Sequence, residues 1–328
     1  MIYNSMKISM NMADLNHLIG ITISSKDPQL QSKVADAKSM ELGWIQIYIE
    51  PETKEEHLIP VKDSGLEIAV HCAHEDHMFM PTRGDDDTNR RLFDEAVESA
   101  RYLESKIVII HPGCITEKEY TSDFNSLTAL DERYSRFVKY AKDKSEGFRV
   151  LVENLPRWLG KDRGIFSFAV DPFYREMEDA GFGFCLDLAN VATDFNGFPA
   201  NYLYPPTERV SFPNSDSDIR IISNSLDSLA LQRLSQLREN HLGHVKDFLS
   251  LEPEALHIRG LNYWHTMRPK ARQPEPMSDL NATQLQIVIP YCIVHKAPIL
   301  IESLDPNQQR SDVAFINQEY ARIAQTSR

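Results

Sequence analysis

Short strand-like runs and longer helix-like stretches alternate along this chain, and their hydrophobic and polar positions predict most of its architecture. Residues 18–24 (LIGITIS) form a first apolar, β-branched run. Pro28 then falls where a first helical turn tolerates proline, and Gly43 follows that helix as an expected stop signal. Residues 44–50 alternate as a second strand, and 66–71 form a third. The polar cluster from Asp85 to Thr88 offers N-caps to a helix with Leu92, Phe93, Ala96, Val97, Ala100 and Leu103 on one face. A fourth strand is expected over 106–111, followed by a helix within 125–146 that Gly147 stops. The fifth to eighth strands fall at 149–153, 183–187, 255–259 and 298–303, and a terminal helix covers 311–326.

Eight strands separated by helices, with no hairpin turn between them, imply a parallel sheet, and eight parallel strands close into a barrel. The expected fold is therefore α/β, a single-domain (β/α)8 TIM barrel spanning residues 1–328. An open doubly wound sheet is the competitor, but it would not bring many separated strand ends to one point.

The apolar runs share a second feature. Six of them end in one ionisable residue: His71, His111, Glu153, Asp187, His257 and Glu302. Strand side chains alternate, so the residue two positions earlier lies on the same face, and at these positions stand Ala69, Ile109, Leu151, Cys185, Ala255 and Leu300. Each strand thus carries an inward apolar residue and a metal-type ligand at its carboxyl end. Carboxylates and imidazoles are costly beside a core unless paired or bound to a cation. Six in register point to one metal-centred pocket on the barrel face where such folds place their chemistry. Three carboxylates with imidazole suit a divalent ion such as Mn, Zn, Co, Mg or Fe. His71 and His111 could hold a second ion, or act as acid/base and substrate-orienting groups.

One spacing is irregular. Asp187 and His257 stand 70 positions apart, and the excess segment, residues 193–245, includes Phe195, Phe198, Tyr202, Tyr204 and Phe212. Long segments of this kind in compact folds are usually functional. An insertion after the sixth strand that covers the barrel mouth is expected, with a dimer contact as the alternative, so a homo-oligomer stays open. The loop after the seventh strand carries Arg259, Trp264, His265, Arg268, Lys270 and Arg272 beside the pocket. Such a loop could grip a phosphate or carboxylate, and Arg259 shares the inward parity of His257. Trp158, five residues after Glu153, offers an aromatic face on which a ligand could stack.

Charge and composition narrow the partners. A net charge of −13 disfavours broad binding to a nucleic-acid backbone, which relies on clustered Lys and Arg. No apolar stretch is long enough to span a membrane, and the first residues show no apolar signal core. Cys72, Cys114, Cys185 and Cys292 show no CxxC spacing and read as free thiols in a reducing compartment, so a cytoplasmic protein is expected.

The motifs VHCAH, IVIIHPG, RVLVENLP, FGFCLDLAN, LHIRG and ILIES occur in this order at the third to eighth strands. In these pieces the chain resembles the xylose isomerase-like TIM barrel superfamily, which holds sugar isomerases, epimerases and endonuclease IV. The likeness covers residues 18–302. It implies that the single-metal epimerase ligands fall on Glu153, Asp187, His257 and Glu302, and that the two extra histidine ligands of the endonuclease-like branch fall on His71 and His111. That branch's third metal uses a His three residues after the strand-six Asp, where this chain has Asn190, and an Asp-x-His after strand seven, where it reads RGLNYWH. The epimerases also tend to carry a substrate-binding His at the Asn190 position. The resemblance thus implies a metal-dependent isomerase or epimerase acting on a small sugar or related polyhydroxy carbonyl compound. Glu153 and Glu302 are then its candidate acid/base pair, and Arg259, Asn190, Trp158, His265 and Arg268 candidate substrate contacts. An endonuclease IV-like two-metal phosphoesterase and a non-catalytic metal-binding barrel are the alternatives.

Overall fold

A computed structural model describes residues 12–73, 79, 81, 85–112, 124–154, 179–191, 242, 245–260, 276, 277 and 279–326. Eight parallel strands close in chain order into a barrel: β1 (Ile19–Ser24), β2 (Trp44–Tyr48), β3 (Glu67–His71), β4 (Ile107–Ile110), β5 (Arg149–Glu153), β6 (Gly183–Asp187), β7 (Ala255–Ile258) and β8 (Ile299–Ile301). The closing pair is β1 with β8, in register Ile19 to Ile299 and Ile21 to Ile301. The strands are buried on both faces, as expected where helices cover the outside and side chains fill the inside.

The two faces form two separate apolar clusters. Outward residues pack under the helices in the larger cluster, while Ala69, Ile109, Leu151, Cys185, Ala255 and Leu300 fill the interior, with Trp44 and Ile107 against them. This interior set is the one that strand parity predicts. It forms the floor beneath the ionisable residues at the strand ends.

The helix Asp86–Tyr102 starts as expected, with the Asp85 side chain accepting the Thr88 N–H at 2.8 Å, and it buries Leu92, Phe93, Ala96, Val97 and Ala100. Three helices escaped the pattern reading: the five-residue Met12–Asn16, and Glu55–Lys62 and Asp279–His295, of which the last two each contain a proline, Pro60 and Pro290. In the last, buried Leu285, Val288, Ile289, Tyr291 and Cys292 are joined by partly buried Ile287 and Ile293, so no polar face marks the period. The terminal helix starts at Pro306, earlier than expected, because Asp305 accepts the Gln308 N–H and Pro306 suits a first helical turn. Among the described residues no helix is long and apolar enough to cross a membrane. Cys72, Cys185 and Cys292 are free and buried, while Cys114 lies outside the described residues.

Gly43 serves a different purpose from the stop signal expected of it. Its helix ends at Ser39, and Glu41 takes the left-handed conformation at φ 56°. Gly43 instead lies against the preceding backbone, where an added Cβ would meet the His17 carbonyl oxygen at 2.0 Å. Its N–H donates to Asn16 O and Ile19 O. Gly43→Ala should therefore cost at least about 2 kcal/mol, because backbone must move to admit the methyl group. Gly65→Asn should cost under about 1 kcal/mol, since nothing lies within 4 Å there and Asn tolerates a positive φ. Urea unfolding midpoints of the two variants check the contrast.

Candidate metal centre

The barrel brings His71 from β3, Glu153 from β5, His257 from β7 and Glu302 from just beyond β8 together at one end. One donor atom from each lies within 4.8 Å of all the others. Glu153 is the hub: its Oε2 lies 3.2 Å from His71 Nε2, 3.2 Å from His111 Nε2 and 3.0 Å from His257 Nδ1. Glu302 Oε1 stands 3.1 Å from His257 Nδ1. Of the six strand-end residues, four share one donor cluster, His111 flanks it, and Asp187 is used differently.

Hydrogen bonds fix which ring nitrogen carries the proton. His71 Nδ1 is 2.7 Å from the Cys72 carbonyl, which can only accept, so Nε2 presents its lone pair towards Glu153. His257 Nε2 is 2.7 Å from Gln46 Oε1, and the amide nitrogen of Gln46 donates to Thr22 Oγ1 at 3.2 Å. The His257 proton therefore sits on Nε2. Nδ1 is buried without a hydrogen bond and faces two carboxylate oxygens. Lone pair against carboxylate is repulsive in a buried site unless a proton or a cation lies between them. Two imidazole nitrogens and two carboxylate oxygens, with the rings oriented by outer hydrogen bonds, are a donor set that fits a divalent cation.

The titration behaviour agrees with that geometry. Burial works against ionising Glu153, yet His257 and His111 hold its carboxyl well below the usual carboxylate range. Burial likewise disfavours the charged His257 ring, but Cys185, Glu302 and Glu153 together raise it well above the ordinary histidine value. Asp187 goes the other way. Burial pushes it up to about 7 against the lowering influence of Arg259, and the charges of Glu302 and Glu153 push in the same direction as burial.

Asp187 Oδ1 accepts the N–H groups of Ala189 at 2.6 Å and Asn190 at 2.9 Å, and so caps the helical turn over residues 188–191. Asn154 holds the same strand end from the side, receiving the Asp187 N–H on Oδ1 and donating Nδ2 to the Asp187 carbonyl. Asn190 donates Nδ2 to Asn154 O at 2.9 Å and to Glu153 Oε1 at 3.3 Å, and its Oδ1 receives Arg259 Nη2 at 3.2 Å. Arg259 thus reaches the site, as its parity with His257 predicts. Trp158, His265 and Arg268 lie outside the described residues, as does segment 193–245 apart from residues 242 and 245.

Three residues that matter here were not singled out in the sequence: Gln46, Thr22 and Asn154. Gln46 had a visible signal, a polar side chain of inward parity between Ile45 and Ile47, and it is almost fully buried. Asn154, next to Glu153, is the polar residue that follows an apolar strand and its ligand.

Comparison with known proteins gives a consistent picture of the fold. No protein-family model matches the chain. An uncharacterised protein of Methanocaldococcus jannaschii, MJ1311, is 28% identical over 113 residues, a match covering 33% of this chain and only 36% of that protein. Among solved structures, a D-tagatose 3-epimerase-like protein superposes with a TM-score of 0.59 at 16% identity, covering 94% of this chain and 99% of its own. The TTHB071 protein of Thermus thermophilus, from a crystal soaked with zinc chloride, gives 0.57 at 12% identity, covering 93% and 98%. Endonuclease IV of the same organism gives 0.55 at 12%, covering 93% and 99%. The chain shares the (β/α)8 barrel fold of these structures.

The paired carboxylates and lone pairs lead to a linked pH and metal dependence. A raised His257 value means that its proton stabilises the metal-free fold fully below about pH 6.5, the ordinary value, and is lost as pH rises through the higher folded value. A cation at the same nitrogen replaces that proton and must compete with it at low pH. The gain in unfolding temperature on adding Mn²⁺ should therefore be larger at pH 8.5 than at pH 6.0. Scanning calorimetry of metal-free and metal-loaded protein at both values decides it, and an equal or smaller gain at pH 8.5 would exclude His257 from the metal-binding set.

Proposed function

We propose that this protein is a metal-dependent isomerase or epimerase that moves a carbon-bound proton next to the carbonyl of a small polyhydroxy compound. The observation that carries this reading is the pair of carboxylates, Glu153 and Glu302, that converge from different strands on His257 Nδ1 at 3.0 and 3.1 Å. The nitrogen–oxygen donor set favours Mn²⁺, Fe²⁺, Co²⁺ or Zn²⁺ over ions that prefer all-oxygen shells. Such a cation, when bound, supplies polarisation of the substrate carbonyl and so acidifies the neighbouring C–H.

The two carboxylates differ in access. Glu153 has a side chain only 2% exposed and is held from behind by Asn190, whereas Glu302 is 20% exposed. Glu302 is the group a substrate can reach, so it takes the proton. Glu153, deeper and on another strand, anchors the histidines and is placed to return a proton from a second direction, as epimerisation requires. His111, half-buried beside Glu153 Oε2, is the remaining group able to orient a substrate hydroxyl. The likeness to sugar epimerases in fold supports a carbohydrate-like substrate, and Asn190 and Arg259 line its path.

A second reading has its own observation. His71 and His111 both point at the same oxygen of Glu153, the arrangement in which a carboxylate bridges two cations, and a solved neighbour is an endonuclease IV. Two-metal phosphoester hydrolysis would use it. The chain's negative charge counts against a nucleic-acid substrate, as does Asn190 at the position where the endonuclease-like branch has a third-metal histidine.

The two readings separate in one set of experiments. Metal-loaded protein incubated in D₂O with ketoses, aldoses and their phosphates should place solvent deuterium on a carbon next to the carbonyl, read by NMR. Glu302→Gln should slow that exchange by about 100-fold or more even at saturating Mn²⁺, because it removes the proton acceptor. Glu153→Gln should lower metal content more than His71→Ala does. Cleavage of an oligonucleotide containing an abasic site, lost in Glu153→Gln and accompanied by no exchange on any sugar, would establish the hydrolytic reading instead.

A further inference from the structure

Arg259 is the one cation that the described residues place beside three carboxylates without an ion pair to any of them. It leaves the end of β7 two residues after His257 and is exposed. Asp187, Glu302 and Glu153 all act on it electrostatically, yet among the described residues the single hydrogen bond of its guanidinium runs to a neutral amide, from Nη2 to Asn190 Oδ1 at 3.2 Å. Asn190 is itself buried and cannot turn. Its Nδ2 is committed to Asn154 O and Glu153 Oε1, which leaves only the carbonyl end to face the guanidinium.

This arrangement positions a guanidinium without neutralising it. Had the residue at 190 been an aspartate, the contact would be an ion pair and the charge would be consumed inside the protein. As built, among the described residues one of five N–H donors is used, and the side chain keeps exposed surface. A cation in the donor cluster would offset Glu153 and Glu302, and the Asn190–Glu153 contact ties that cluster to Arg259 through a single buried side chain. The site then offers two positive points joined by a rigid link, one suited to hydroxyl and carbonyl oxygens and one suited to a bidentate anion.

We propose that the compound this site takes carries an anionic group, a carboxylate or a phosphate, and that Arg259 is the residue that reads it. The inference deepens the proposed function by naming its substrate class, and it rests on that reading for the polyhydroxy part of the ligand. Recognition of the anion can be measured without any turnover.

Three unreactive five-carbon probes make the test: ribitol, ribonate and ribitol 5-phosphate, each titrated by calorimetry into Mn²⁺-loaded protein. Ribonate or ribitol 5-phosphate should bind at least about tenfold more tightly than ribitol, and the stronger of the two identifies the anion as carboxylate or phosphate. Arg259→Gln should abolish the preference while leaving metal content within about twofold. Arg259→Lys should recover only part of it, since an ammonium keeps the charge and loses the fork. Equal binding of all three probes, no binding of any, or a preference that survives Arg259→Gln would overturn the proposal. Deuterium exchange into neutral ketoses with no preference for anions would overturn it too, while leaving the proposed reaction standing. An Arg259-dependent preference for anions in a protein that exchanges no hydrogen would uphold it and remove the proposed reaction.

Discussion

A carboxylate buried at the top of an apolar barrel is the constraint around which this molecule is arranged. Glu153 rises from β5 directly above an interior of Ala69, Ile109, Leu151, Cys185, Ala255 and Leu300 and is almost without contact with solvent. Leaving such a charge unmatched would cost far more than any single contact returns. Three imidazole nitrogens from β3, β4 and β7 answer it at 3.0 to 3.2 Å, and the second oxygen is taken by Asn190. Two of the rings are in turn held from outside the cluster, His71 by a backbone carbonyl and His257 by Gln46, and Asn154 holds the β6 end. The order of the strand ends around the pocket is thus an electrostatic requirement as much as a consequence of topology.

Much of this was legible in the sequence because a parallel barrel writes the same short message eight times. An apolar run buried on both faces that ends in a single ionisable residue marks both a strand and the face on which it terminates, and period-two parity then names the interior layer. The cap made by Asp187 was not legible. The segment LDLAN reads identically whether or not its aspartate also closes the turn that follows, and only the 2.6 and 2.9 Å contacts of one carboxylate oxygen to Ala189 and Asn190 reveal it. The partner of Gln46 lies 211 positions away, beyond the reach of any local pattern. The helices around Pro60 and Pro290 were hidden for a different reason: one is short, the other is apolar on most of its sides, and each carries a residue that usually marks a break.

Gly43 and Asn154 show two ways in which such a barrel sets its tolerances. At Gly43 one backbone lies so close to another that only hydrogen fits between them, which locks the entry to β2 against the turn before β1. Asn154 uses its amide as a detached piece of backbone. Its carbonyl and amino groups meet the N–H and C=O of Asp187, so the β5–β6 pairing continues one step past the end of the strand. Asn154 ties down the strand ends beside the donor cluster, whereas Gly43 sets the packing at the opposite, amino-terminal end of the strands.

The outer partners of the two clustered histidines have a further consequence. Each ring donates its remote proton to a neutral acceptor, a peptide carbonyl for His71 and a carboxamide for His257, where a carboxylate could have stood. A neutral acceptor draws the ring proton less strongly than an anionic one and leaves less electron density on the opposite nitrogen. Imidazoles so held are weaker donors, and an ion they ligate keeps more of its own positive character for whatever oxygen comes to share it. The Lewis acidity of a cation held at the barrel mouth would therefore be set in part by two groups that never touch it.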